Sequence, residues 1–244
     1  MIMKNSKYKV IKNICKIFIC PLSIIIFFLI LTNCKKEKDT IIATNSTPKV
    51  FDVCGNFYEI VNIGSQVWMK ENLRTTKLND STTIPLIENY NYVWDDITTP
   101  ACCWYDNYSA KYKKTYGALY NWYTVKTGKL CPSGWHVPTE KEWSTLTNYL
   151  GGDNIAGSKL KEAGTSNWHE PNEAATNSSG FTAIPGGFRL SLQYYNMSYW
   201  GSWWTSTDGN VYYAMSRMMY YDSANVDIYF VRKTAGLSVR CIKD

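Results

Sequence analysis

A chain of 244 residues with 26 basic and 20 acidic side chains has room for one large domain or two small ones, and carries a formal net charge of +6. That charge is local. Residues 1–33 hold five lysines and no acid, so the remainder balances 21 basic against 20 acidic residues, which excludes a nucleic-acid footprint and a polybasic membrane patch.

Taken in order, Lys4, Lys7, Lys9, Lys12 and Lys16 precede an apolar run from Ile17 to Leu31. Such a run is short against the roughly 20 residues of a membrane span, and residues 1–33 read as a signal peptide. Leu31-Thr32-Asn33-Cys34 at its end resembles the lipobox of bacterial lipoproteins, although Asn33 stands where that motif has a small residue. The resemblance implies cleavage before Cys34, acylation of its thiol and attachment to a membrane through the lipid. Lys35-Lys36-Glu37-Lys38-Asp39 is similar to the export signal of some Bacteroidota surface lipoproteins. The expected location is the cell envelope, as an outer-membrane lipoprotein open to surface display. Residues 34–50 are polar and aperiodic, and read as a tether to a domain spanning 51–244.

The domain opens with a predicted hairpin, Phe57–Ile63 and Gln66–Met69 around Gly64-Ser65. Residues 74–100 have no period and are expected to be irregular. The aromatic run Tyr116–Tyr123 fits a short helix or a strand, with the balance toward helix. The clearest helix start in the chain is Thr139, an N-cap with Glu142 three residues on to complete a capping box. Trp143, Leu146 and Leu150 share one face of that helix, and Gly151-Gly152 ends it. Asp153 is expected to cap a second helix reaching about Ala163, with Ile155, Leu160 and Ala163 inward and Gly164 as its stop.

Residues 165–178 read as a polar loop. The β-like segment 181–184 follows, then strands over 202–207, 211–220, 226–232 and 237–242. A hairpin, helices and then antiparallel strands make an α+β plan.

Three stretches carry a family resemblance: Gln66–Leu73, Tyr116–Tyr123 running into Cys131–Pro138, and Gly180–Gly187 followed by Gly236–Cys241. Together they resemble the Fibrobacter succinogenes major paralogous domain, a module of exported proteins in that phylum and in Bacteroidota. The family is similar in turn to the C-type-lectin-like fold and to the formylglycine-generating enzymes. That likeness implies two helices packed on a curved antiparallel sheet, with the N- and C-terminal strands adjacent. It also implies a disulfide between Cys131 and Cys241. Cys54 is assigned more loosely to Cys102 or Cys103, which are adjacent and poorly placed to bond each other.

Glu170-Pro171-Asn172 is similar to the triplet that supplies Ca²⁺ ligands in mannose-type C-type lectins, so Glu170 and Asn172 are the candidate calcium ligands. The later strand, Trp203–Asp208, lacks the Asn-Asp pair of such a site, and the expectation is that no metal binds. The two histidines, His136 and His169, have no zinc-like spacing and read as structural residues bonded to backbone. No nucleophile, base and metal can be assembled, so the domain is expected to be non-catalytic, without a cofactor.

What remains is an aromatic load of ten Trp and nineteen Tyr. Alternation along a strand would expose one member of each aromatic pair, making Tyr199, Trp200, Trp203 and Trp204 the candidate ligand-binding residues for a glycan or a surface protein. The reading is an envelope-anchored binding or adhesion module. The alternatives are an enzyme of formylglycine-generating-like fold and a structural subunit of the cell surface.

Overall fold

A computed structural model describes residues 48–88 and 94–244, so the segment read as a signal peptide, the lipidation candidate Cys34 and the segment read as a tether as far as Thr47 lie outside the described residues. Strand β1 (Lys49–Phe51) starts two residues inside the segment read as tether, because it pairs antiparallel with β2 (Phe57–Ile63). Asp52 closes that turn. Its carboxylate accepts the backbone N–H groups of Cys54 and Asn56 at 2.9 and 3.0 Å and the Tyr58 hydroxyl at 2.7 Å. The predicted hairpin follows, with β3 (Gln66–Met69) set so that Ile63 faces Gln66 across the turn. Gly64 sits there at φ 60°, a conformation that costs glycine little.

Among the described residues, the excursion 74–100 is irregular as expected, apart from single bridges at Lys77 and Leu86 and a 3₁₀ turn at Trp94–Asp96. The aromatic run beyond it is not one helix. Strand β4 (Cys102–Cys103) and helix α1 (Ser109–Tyr116) come first, and Gly117 ends α1 where an added Cβ would meet the Leu73 carbonyl at 2.7 Å. Leu119 and Tyr120 then form β5 (Leu119–Tyr120), paired with Cys103 and Cys102. Asn121 caps α2 (Trp122–Lys126) by accepting the Thr124 N–H at 3.1 Å. The aromatics are shared among three short elements, each too brief to show a period.

Strand β6 (Trp135–His136) leads into α3 (Glu140–Tyr149), whose capping box is complete. The Glu142 N–H donates to Thr139 Oγ1 at 3.2 Å, while the Thr139 N–H donates to Glu142 Oε2 at 2.7 Å. Trp143, Leu146 and Leu150 are buried, as their spacing requires. Helix α4 (Asp153–Leu160) is shorter than expected and is rotated. Gly152 occupies the cap, Asp153 lies in the first turn, and the inward residues are Ala156, Gly157 and Leu160, with Ile155 and Ala163 exposed. Gly157 explains the rotation: an added Cβ there would come within 2.5 Å of the Asn225 carbonyl, so this glycine face is the one that docks.

The remaining strands are β7 (Phe188–Leu190), β8 (Gln193–Tyr195), β9 (Trp200–Asp208), β10 (Tyr213–Tyr220), β11 (Asp227–Arg232) and β12 (Ile242–Lys243). Most of the expected strand at 237–242 makes single bridges instead, Leu237 to Tyr120 and Ser238 to Trp203. All the named strand pairs are antiparallel. They form a five-stranded sheet in the order β1-β2-β3-β12-β6, a three-stranded sheet β11-β10-β9, and the ribbons β4-β5 and β7-β8. The fold is α+β with four α-helices among the described residues, rather than two.

The C-terminal strand lies beside the opening hairpin, with Ile242 opposite Trp68. Cys241, one residue earlier, is disulfide-bonded to Cys131 with 6.0 Å between Cα atoms, the pair that the resemblance implies. Closing a loop of 110 residues in this way stabilises by about 4–5 kcal/mol in the chain-entropy account. The looser assignment of Cys54 fails. Cys54 is exposed with its sulfur 3.4 Å from Thr75 Oγ1, while Cys102 and Cys103 are buried, and among the described residues none of the three forms a disulfide.

Apart from a smaller one around Trp94, Cys103 and Leu119, two apolar clusters fill the interior among the described residues. One gathers Tyr120, Trp122, Trp204 and Leu237, and the other gathers Trp68, Trp143, Phe181 and Trp203. Strand β9 runs between them.

Candidate functional site

The four candidate aromatics fall in β9 and just before it, and two of them are not available to a ligand. Trp203 and Trp204 are both fully buried. Alternation does place them on opposite faces of β9, but both faces are covered by core. The indole N–H groups are also engaged, Trp203 to Asn72 Oδ1 at 2.8 Å and Trp204 to the Tyr120 carbonyl at 2.7 Å. Trp200 is half-buried, stacked on Phe188 and edge-on to Tyr220. Only Tyr199 is exposed.

Tyr199 belongs to a cluster that the sequence did not suggest. The His169 ring stacks on it with centroids 4.4 Å apart, and Tyr221 meets both edge-on at 5.4 and 5.2 Å. His169 lines a cleft of about 340 Å³ walled by residues 165–170 and Ser198. The cleft therefore brings together Glu170 and His169, and Tyr199 stacks on the histidine ring beside it.

The loop that forms it is polar in sequence but firmly held. The Trp168 indole is buried and donates to the Ala183 carbonyl at 2.9 Å. Asn167 donates to both Glu162 carboxylate oxygens and accepts the Tyr116 hydroxyl at 3.1 Å. The His169 N–H donates to the Ser198 carbonyl at 2.7 Å, which ties the loop to the chain entering β9.

Asn172 staples the same loop from beneath. It is buried and gives its amide to the carbonyls of Glu162 and Gly164, whereas Glu170 is exposed. The two candidate calcium ligands thus occupy different environments, and among the described residues no three His, Cys, Asp or Glu side chains gather to hold a metal.

A second support is Lys161, fully buried at the end of α4. Its ammonium donates to the carbonyls of Glu173, Tyr220 and Ser223 at 2.8–3.0 Å. Burial lowers its pKa to about 8, because the charged form has lost its water. No sequence signal marks this lysine, since its partners lie 12, 59 and 62 residues away.

The histidines diverge. His169 Nδ1 lies 2.7 Å from a backbone carbonyl, that of Glu170. His136 instead sits between two carboxylates, Asp244 at 2.6 Å and Glu142 at 2.8 Å. Burial works against its charge, but the bonds to those carboxylates outweigh it and hold the pKa above the ordinary imidazole value.

The stretches used to recognise the family meet in the interior. Arg240, from Gly236–Cys241, donates to Asn72 Oδ1 at 2.8 Å and to the Phe181 carbonyl at 2.6 Å, and its guanidinium lies 4.4 Å from the Phe181 ring centroid. Asn72 also takes the Trp203 indole and donates to the Tyr116 carbonyl at 3.0 Å. Burial lowers the Arg240 pKa to about 9, with Glu71 pulling the other way. These motif residues build the frame.

The Fibrobacter succinogenes major domain model matches residues 61–243. The chain belongs to that family. Neither a curated protein nor a solved structure matches it. The matched span takes in nearly all of the two larger apolar clusters, the Asn72–Arg240 junction and the cleft beside His169.

Proposed function

We propose that this member of the family is a non-catalytic binding or adhesion module of the cell envelope, held by a lipid on Cys34, with a C-type-lectin-like arrangement of its domain. The cleft beside His169 is its recognition surface. The observation that carries the reading is the pairing of a partly exposed aromatic stack, His169 with Tyr199, with a loop fixed by buried side chains. Such a surface loses little conformational entropy on binding and offers ring faces beside Glu170, Ser166 and Ser198 for hydrogen bonds to a glycan. The lectin-like arrangement is supported by the position of β12 beside β3 and by the disulfide closing it. The anchor rests on the apolar leader and Cys34 in the sequence.

A screen of glycans and polysaccharides with the full-length protein tests the reading. Saturable binding weakened about tenfold or more by Tyr199→Ala is the expected result. A blank screen, or binding indifferent to Tyr199 and to Glu170→Gln, would move the function to other partners. For the anchor, Cys34→Ser should transfer the protein from the membrane fraction to the soluble fraction of the producing cell, and an unchanged distribution would remove the lipid from the account.

A further inference from the structure

We infer that a second cleft, between the β9–β10 hairpin and the end of β11, binds a carboxylate-bearing saccharide such as a uronic acid unit. The inference rests on the binding-module reading and supplies a ligand class for it at a separate place. The cleft has a volume of about 420 Å³, within the range of about 300–1,000 Å³ typical of small-molecule sites. Its walls include Tyr123, Tyr212, Tyr213, Thr98, Asp95 and Arg232.

The side chains divide the work. Tyr212 is 73% exposed, so a ring face is open to the C–H surface of a sugar. The Arg232 side chain is 62% exposed, and its Nη1 is 3.9 Å from Asp95 Oδ2, a loose contact that leaves guanidinium N–H groups for an incoming carboxylate. Arginine presents two parallel donors that match a carboxylate's two oxygens. Asp95 is oriented by Ser191, which donates to it from both its backbone N–H and its hydroxyl. Asp95 and Thr98 on one side can then meet ring hydroxyls while Arg232 meets the acid.

The cleft is also set before any ligand arrives. Asn210 Oδ1 accepts the N–H groups of Tyr212 and Tyr213 at 2.9 and 3.0 Å, so the hairpin end is locked from within. The Lys233 N–H donates to the Tyr212 carbonyl and the Trp122 N–H to the Lys233 carbonyl, each at 2.9 Å, which joins the hairpin, the end of β11 and the start of α2. The Lys233 ammonium is buried against Asp208 at 2.6 Å and lies 4.5 Å from the Trp122 ring centroid, so this cation belongs to the frame and Arg232 is the one facing the cleft.

Calorimetric titration of the full-length protein with an oligogalacturonate, and with a neutral cello-oligosaccharide of equal length, tests the inference. The acidic oligomer should bind at least about tenfold more tightly. Arg232→Gln should remove about tenfold or more of that affinity, and added salt should weaken the wild type more than this variant. Tyr212→Ala should weaken both ligands, and Tyr199→Ala should change neither at this cleft. Melting temperatures of the two cleft variants should match the wild type, since both side chains are exposed. Equal affinity for the two oligomers, or acidic binding untouched by Arg232→Gln and Tyr212→Ala, overturns the inference and leaves the module reading standing. So does failure of both oligomers when the broader glycan screen is positive. A blank in both experiments overturns the two readings together.

Discussion

Strands β9 and β11 flank the same neighbour, β10, yet one is covered on both faces and the other is largely open. In β9, Trp203 packs into the cluster of Trp68, Trp143 and Phe181, while Trp204 packs into that of Tyr120 and Leu237. In β11, the consecutive residues Ile228, Tyr229 and Phe230 are all exposed. The two strands obey the same alternation, and both are rich in large apolar side chains. What differs is the material laid over each face. A hydrophobic pair in a strand therefore says that two faces exist, and says nothing about how many are buried.

Three measurements bear on that contrast. The largest effect is expected in β9, where Trp203→Ala and Trp204→Ala should each cost about 3–5 kcal/mol in urea unfolding. A loss below about 1 kcal/mol for either would mean that its face of β9 is not core. A smaller effect is expected at Lys161, which holds the carbonyl of Tyr220 at the end of β10 and that of Ser223 before β11. Its folded pKa, about 8, lies below the unfolded value of roughly 10.4. The unfolded chain binds the extra proton in that window, so the lysine's share of stability is highest above roughly pH 10.4 and falls as pH drops through about 8. Wild-type stability should carry this rise between about pH 8 and 10.4, and Lys161→Met should lack it. Parallel pH curves for the two proteins would contradict the assignment. The smallest effect belongs to β11, where Tyr229→Ser or Phe230→Ser should shift stability by no more than about 0.5 kcal/mol. A larger loss, or a change in sedimentation, would show that the open strand is covered in solution.

The edge position of β11 also bears on solubility. An exposed edge strand with apolar side chains is a template for unwanted pairing, and charged ends are a common defence. Asp227 and Arg232 bracket the apolar stretch here.

Local features were legible in the chain. The capping box at Thr139 and Glu142, the buried face of α3 and the β2–β3 hairpin each depend on residues within a few positions of one another. Where the local signal is thin, distant partners decide. The face of α4 turned on Gly157 meeting the backbone near Asn225, 68 residues later, and the aromatic run 116–123 was divided by pairing with Cys102 and Cys103.

The candidate site was legible only in pieces. Strand alternation points to Tyr199 and resemblance to Glu170, but nothing local points to His169 as the ring that joins them, because stacking across 30 residues leaves no periodic trace. The motif stretches identified the family, while their common meeting point, Arg240 on Asn72 and Phe181, required the folded chain. The second cleft is further still from the linear pattern, drawing Asp95, Tyr123, Tyr212 and Arg232 from four separate segments.

By itself the sequence determined the family, the α+β class, the main helix with its cap and the opening hairpin, because each is written in neighbouring residues or in a contiguous motif. Tertiary structure decided which aromatics are core and which are surface, which polar groups are buried together, and where the clefts lie. Burial depends on what is packed over a side chain, and that partner comes from a distant part of the chain.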